Sequence, residues 1–323
     1  MRISTLIELA QKRKVKLPTT TEDSLRDWIT RGARKKSLAA YLESFDVTLS
    51  VMQHAEDISR IATELCEDAW ADGIWYLEVR FSPVLHIKGK LSLVKVMNAV
   101  VDGLSEGERR TGIRTGIIIC GIRSIDPTTS LRLAELCISY KGRGMVGFDL
   151  AGQEDSYPAR DHAESFYLIR RNNIPCTVHA GEAWGPASIR QALHDLNAHR
   201  IGHGTRLVED GDLLNYVNDH RIPLECCLTS NVDVGAVESL DQHPLKFYFD
   251  QGLRVTVNTD NRLISDTTVT QELALAQEHL GFTRSEINDL IIMGFKSAFL
   301  PYRERRHLLA RVLDALEKPI IPF

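Results

Sequence analysis

Seven short apolar runs, separated by helical patterns, constrain this chain more than any other feature. They are IWYLEVRF ending at Phe81, TGIIIC at Cys120, MVGFDL at Leu150, IPCTV at Val178, RIG at Gly202, IPLEC at Cys226 and LRVTVN at Asn258. Successive ends lie roughly 24 to 39 residues apart, the spacing expected when about 250 residues are shared among eight βα units. LVKVMNAVVDGL, SLRLAELCISY, ESFYLIRRN, ASIRQALHDL and DLLNYVNDH fill the gaps with helix-period patterns. Such alternation implies a parallel sheet clothed in helices, and the unit size points to a (β/α)8 barrel. Seven strands are one short of closure. Before Glu56 the sequence offers helical patterns, STLIELAQKRK and AAYLESFDVTL, but no strand. An eighth strand is therefore expected before Met1. No low-complexity linker or composition break interrupts residues 1–323, so one domain is expected. Its C-terminal extension is helical, with capping signals at Thr268–Gln271 and Thr283–Glu286.

Composition removes several function classes. A formal net charge of −4 and a pI near 6.3 give no basic field for nucleic acid. The two basic runs, RGARKK and YRERRH, lie in helix-like segments and read as solvated faces. No apolar run reaches the roughly 18 residues of a membrane span, and no signal-peptide core opens the chain. Cys66, Cys120, Cys137, Cys176, Cys226 and Cys227 lack disulfide-framework or CxxC spacing and sit mostly in apolar runs. Reduced thiols in a cytoplasmic protein are expected.

Two motifs fail on context. GLSEG (103–107) matches a nucleophile elbow but lacks the preceding strand; a helix precedes it and a polar turn is expected to follow. GRGMVG (142–147) matches a dinucleotide fingerprint but enters a strand instead of leaving one. It reads as a helix stop and a turn.

The surviving constellation is a set of polar clusters just after four strands: LAGQE (150–154), HAGE (179–182), GHG (202–204) and NTDN (258–261). In a barrel these ends converge on one catalytic face. Core packing gains nothing from ionisable groups there, and burying unpaired charge is costly. Imidazole with carboxylate suits a hydrolytic Zn²⁺, which lowers the pKa of its water toward about 7. His179 and Asp260 are the candidate ligands. His203 is placed to orient or deprotonate the water, and Glu182 to hand a proton to a substrate nitrogen. Gly152 and Gly181 let backbone N–H groups approach a flat ligand.

VHAGE, HRIGHG, TSN and VNTDN, in that order and spacing, resemble the adenosine deaminase family of zinc amidohydrolases, as do EVRFSP (78–83) and GFDLAGQE (147–154). The resemblance spans nearly the whole chain. It implies a (β/α)8 barrel, one Zn²⁺, and conversion of adenosine or 2′-deoxyadenosine to the inosine product and ammonia. It also implies site roles: His179 and Asp260 bind zinc, Glu182 protonates purine N1, and His203 positions the attacking hydroxide. Gly152 would contact N3, Asn261 would read N7, and Phe45 resembles a hydrophobic gate. The implied partner is a small purine nucleoside, with no nucleic acid or membrane; oligomeric state is not implied.

Two departures stand out. Many members carry Asp-Asp where this chain has Asp260-Asn261; an Asn amide still offers N7 a donor. The family's first strand also carries a His-x-His pair, whereas the first histidine here is His54. Two ligands are present and two are missing, and a start site placed too late or a truncated chain is expected. The rivals are an amidohydrolase of adenine, AMP or another aminopurine, and a barrel that binds without turnover.

Overall fold

The computed structural model describes residues 1–33 and 38–317; part of the RGARKK run lies outside them. Seven strands follow one another in chain order. β1 (Tyr76–Phe81), β2 (Arg114–Ile122) and β3 (Met145–Ala151) form one parallel sheet. β4 (Thr177–Ala180), β5 (Arg200–His203), β6 (Leu224–Cys226) and β7 (Val255–Val257) form a second. A parallel bridge between Phe148 and Cys176 joins β3 to β4. β1 and β7 are the outermost strands. β4 and β5 run further than the apolar runs suggested, so His179 and His203 lie in strands instead of past their ends. Hydrophobicity marks the buried middle of a strand; its polar, chemically used end escapes that signal.

Helices cover the strands because each presents an apolar stripe. In Leu93–Thr111 the buried positions include Val96, Val100, Leu104 and Gly107, spaced three or four apart. Ser92 caps its first turn by accepting from the Lys95 N–H. This helix runs through GLSEG to Thr111, so the expected polar turn is absent. Its glycines have a packing role. A Cβ at Gly103 would stand 2.3 Å from the Ser59 carbonyl, and one at Gly107 2.4 Å from Cys66 Cβ, so helix Ala55–Ala71 can lie close. GRGMVG turns into β3 as expected, with Gly142 and Gly144 at φ 82° and 84°. Thr283 makes the full capping box with Glu286, whereas Thr268 caps by accepting from the Gln271 N–H.

Helices Ile3–Arg13, Glu22–Ala33 and Leu38–Val51 precede the sheet. Ile3, Leu6, Leu9, Leu25, Ile29 and Val51 form a second apolar cluster with Ile61 and Ile264. Ile264 and the Arg26–Asp266 ion pair tie this helical layer to the segment after β7. YRERRH lies on helix Tyr302–Glu317 and is mostly exposed. All six cysteines are free and buried. Among the described residues no helix is long and apolar enough to cross a membrane.

Candidate active site

Parallel strands deliver their C-terminal ends to one side, and the polar clusters arrive there together. His179 comes from β4, His203 ends β5, Ser230 and Asn231 lie on helix Leu228–Asp233 after β6, and Asp260 follows β7. His203 and Asp260 have left-handed backbones, with φ 65° and 52°. Such conformations cost a non-glycine residue about 1–3 kcal/mol and persist where the surrounding structure over-determines them. Gly181 is also left-handed, at φ 73°, and a Cβ there would meet Ile189 Cδ1 at 2.5 Å.

Asn231 joins the two expected proton carriers. Its Nδ2 donates to Glu182 Oε1 and to His203 Nδ1, both at 3.0 Å. Glu182 Oε1 and His203 Nδ1 are 3.4 Å apart, and the His179 and His203 rings are 5.1 Å apart between centroids. Burial, then the charges of Asp260 and Glu154, push the Glu182 carboxyl well above the usual range despite the Asn231 bond. Burial, then His179, lowers His203 to about 4, against an opposing pull from Asp260. The two shifts favour the protonated form of the carboxyl and the neutral form of the imidazole. Ser230 Oγ donates to Asp260 Oδ2, and Asn261 Nδ2 to Asp260 Oδ1, each at 2.8 Å. Gly152, at φ 102°, lies at the end of β3 beside Ile122 and Arg123. Phe45, on helix Leu38–Val51, packs against the apolar cluster that holds Ile264.

Beneath this group lies a charged interior that hydrophobic reading missed. Arg80 on β1 donates to Glu225 on β6 at 2.5 Å and lies 3.4 Å from Asp149 on β3. Arg200 on β5 donates to Glu78 on β1 and also pairs with Glu225, both at 2.6 Å. The signal was present: Glu78 and Arg80 are two apart in IWYLEVRF, so they share one face of the strand. Burial raises the Asp149 carboxyl, but Arg80 and His179 outweigh it and hold it far below the usual range. Glu154 and Asn231 lay inside the LAGQE and TSN motifs but were given no role, and His243 was missed; each acts through hydrogen bonds to groups remote in sequence.

The donor set can be tested against zinc. His179 Nδ1 lies 3.0 Å from Asp149, and a histidine that gives one ring nitrogen to a carboxylate keeps the other for a metal. Asp260 is likewise held by two donors. Arg80 Nη1, however, stands 3.3 Å from both ring nitrogens of His179, so a cation already lies against the ring. Catalytic zinc takes three protein ligands. Among the described residues no three His, Cys, Asp or Glu side chains are grouped to hold a metal. The residues present fit part of a zinc site and do not complete one.

Parallel strands in series, with Glu182, His203 and Asp260 brought to their ends, place the chain among hydrolases of the α/β-barrel class. The sequence pattern of the adenosine deaminase family matches residues 1–315. The chain belongs to that family. It is 43% identical over 300 residues to a probable adenosine deaminase of Dictyostelium discoideum, covering 93% of this chain but 39% of that one. To the adenosine deaminase of Mycobacteroides abscessus it is 40% identical over 336 residues, covering 99% of this chain and 91% of that one. An adenine deaminase from Arthrobacter aurescens shares the fold, with TM-score 0.91, 24% identity, and 98% and 95% of the two chains covered. An Arabidopsis N6-mAMP deaminase superposes with TM-score 0.86 at 25% identity, covering 98% and 94%. The barrel expectation therefore holds, with seven strands described.

Proposed function

We propose that this chain carries the hydrolytic deamination of adenosine and 2′-deoxyadenosine, giving the inosine product and ammonia, in purine metabolism of the cytoplasm. The observation that carries this reading is the Asn231-bridged pair of Glu182 and His203. Deaminating an aminopurine needs a proton for a ring nitrogen and an oriented oxygen nucleophile. Glu182, whose carboxyl is pushed well above the usual range by burial and by the charges of Asp260 and Glu154, is the acid for purine N1. Neutral His203 orients the nucleophile. Asn261 offers an amide donor to N7, and the backbone at Gly152 is the contact proposed for N3. Zinc is the proposed metal, with His179 and Asp260 as this chain's two donors; when bound it supplies Lewis acidity.

The test is ammonia release by purified chain, with and without added zinc, from adenosine, 2′-deoxyadenosine, adenine and AMP. Release from the two nucleosides first supports the reading; none from any of the four, by folded protein, removes it. A second reading, nucleoside binding without turnover, is favoured by Arg80 standing against His179. Calorimetric binding of adenosine without ammonia release would select it.

A further inference from the structure

We infer that Asn231 and His243 are positioning residues that decide which ring nitrogen of His203 carries its proton and which oxygen of Glu182 can carry one. The inference deepens the deaminase reading and rests on it only for the catalytic meaning of those protons.

The argument starts from a donor whose polarity cannot be reversed. The backbone N–H of Leu245, in the first turn of helix Leu245–Asp250, donates to His243 Nδ1 at 3.1 Å. A ring nitrogen that accepts carries no hydrogen, so neutral His243 is protonated on Nε2. His243 Nε2 lies 3.1 Å from Asn231 Oδ1. An amide's orientation is decided by its hydrogen-bond neighbours, and here the reverse orientation would set two donors face to face. The Asn231 oxygen therefore faces His243, and both Nδ2 hydrogens point the other way, one to Glu182 Oε1 and one to His203 Nδ1.

Two consequences follow. His203 Nδ1 accepts, so the proton of the neutral ring is on Nε2. In that form Nε2 is a donor, which suits orienting an oxygen nucleophile by a hydrogen bond and leaves no ring lone pair free to take its proton. Of the two roles open to His203, orienting is the one this network selects. Glu182 Oε1 also accepts, which leaves Oε2 as the oxygen that can present a proton to substrate. All four side chains are buried, where a mismatched donor pair is costly and a satisfied network holds one arrangement.

The test reads the protons directly. Full-length chain labelled with ¹⁵N-histidine is examined at neutral pH by two-bond ¹H–¹⁵N correlation, with His203 assigned from its loss in His203→Gln. The expected pattern for His203 is a protonated Nε2 and an unprotonated Nδ1. Asn231→Asp replaces the donor with an acceptor and should move the proton to Nδ1. His243→Leu frees the amide and should shift Nδ1 toward a mixed-tautomer value, whereas His243→Gln, whose amide nitrogen reaches about as far as Nε2, should restore the parental pattern. A protonated Nδ1 in the parental protein overturns the inference even if no variant folds. So does an unchanged His203 pattern in folded Asn231→Asp or His243→Leu. The expected tautomer in a chain that releases no ammonia would sink the deaminase reading and leave the proton placement standing.

Discussion

Glu154 Oε1 accepts the backbone N–H of Glu182 at 2.9 Å, so one buried carboxylate holds the main chain of another. The same side chain takes the N–H of Gly181 at 2.8 Å and of Ala183 at 3.2 Å. Its charge is also among those that raise the Glu182 carboxyl. Glu154→Gln keeps one oxygen but turns an NH₂ toward an N–H that needs an acceptor. An orphaned buried donor costs about 1–3 kcal/mol, and the urea midpoint should fall accordingly. A midpoint within error of the parent would show that these three bonds do not hold the loop.

Glu182→Gln separates chemistry from architecture. The glutamine oxygen can still accept from Asn231, so the fold and the His203 contact survive, but no proton is available for the purine ring. In protein with a complete metal site, kcat should fall by roughly 10² to 10⁴, the usual worth of general acid–base help, with KM changed only a few-fold. Steady-state ammonia release checks this. Near-parental turnover would take Glu182 out of the acid role.

Asn261 faces two demands: it donates to Asp260 at 2.8 Å and is proposed to read purine N7. Asn261→Ala removes both and should raise KM for adenosine by about tenfold to a hundredfold, roughly 1.4 kcal/mol per decade. Asn261→Asp should be milder, provided the acid is protonated beside Asp260. A 7-deaza nucleoside turned over as well as adenosine would end the N7 assignment.

What the sequence made legible, and what it did not, follows from how each feature is encoded. The strands announced themselves because a buried parallel strand is a near-continuous apolar run, and their order along the chain became their order in the sheets. HAGE, GHG and NTDN stood out because polar residues at successive strand ends have no packing reason to be there. The charged interior did not, since Arg80, Asp149, Arg200 and Glu225 each look like an interruption until topology sets them opposite one another. His243 was harder still. It lies 12 residues from Asn231 in a segment without strand or helix periodicity, and its role exists only as a hydrogen bond. GLSEG failed as an elbow for the reason its context gave, but that its glycines seat a neighbouring helix needed the partner helix in view.

The last prediction concerns acid. Glu225 is buried, which by itself would raise its carboxyl, yet Arg80 and Arg200 beside it prevail and hold it down to about 2. An unfolded glutamate titrates near about 4.3. Because the folded value is the lower one, the ion pairs contribute stability that is fully present above the unfolded pKa and is lost as pH falls from about 4.3 toward 2. The shift corresponds to something on the order of 3 kcal/mol. Glu225→Gln should therefore flatten the acid limb of the stability curve between those limits. It should also lower stability at pH 7, by about 3–5 kcal/mol if Arg80 and Arg200 are left as uncompensated buried charge. Urea unfolding at several pH values from 7 down to 3 measures both effects. A variant whose acid limb parallels that of the parent would show that Glu225 keeps its proton in the folded protein and that the two arginines are balanced by Glu78 and Asp149 instead.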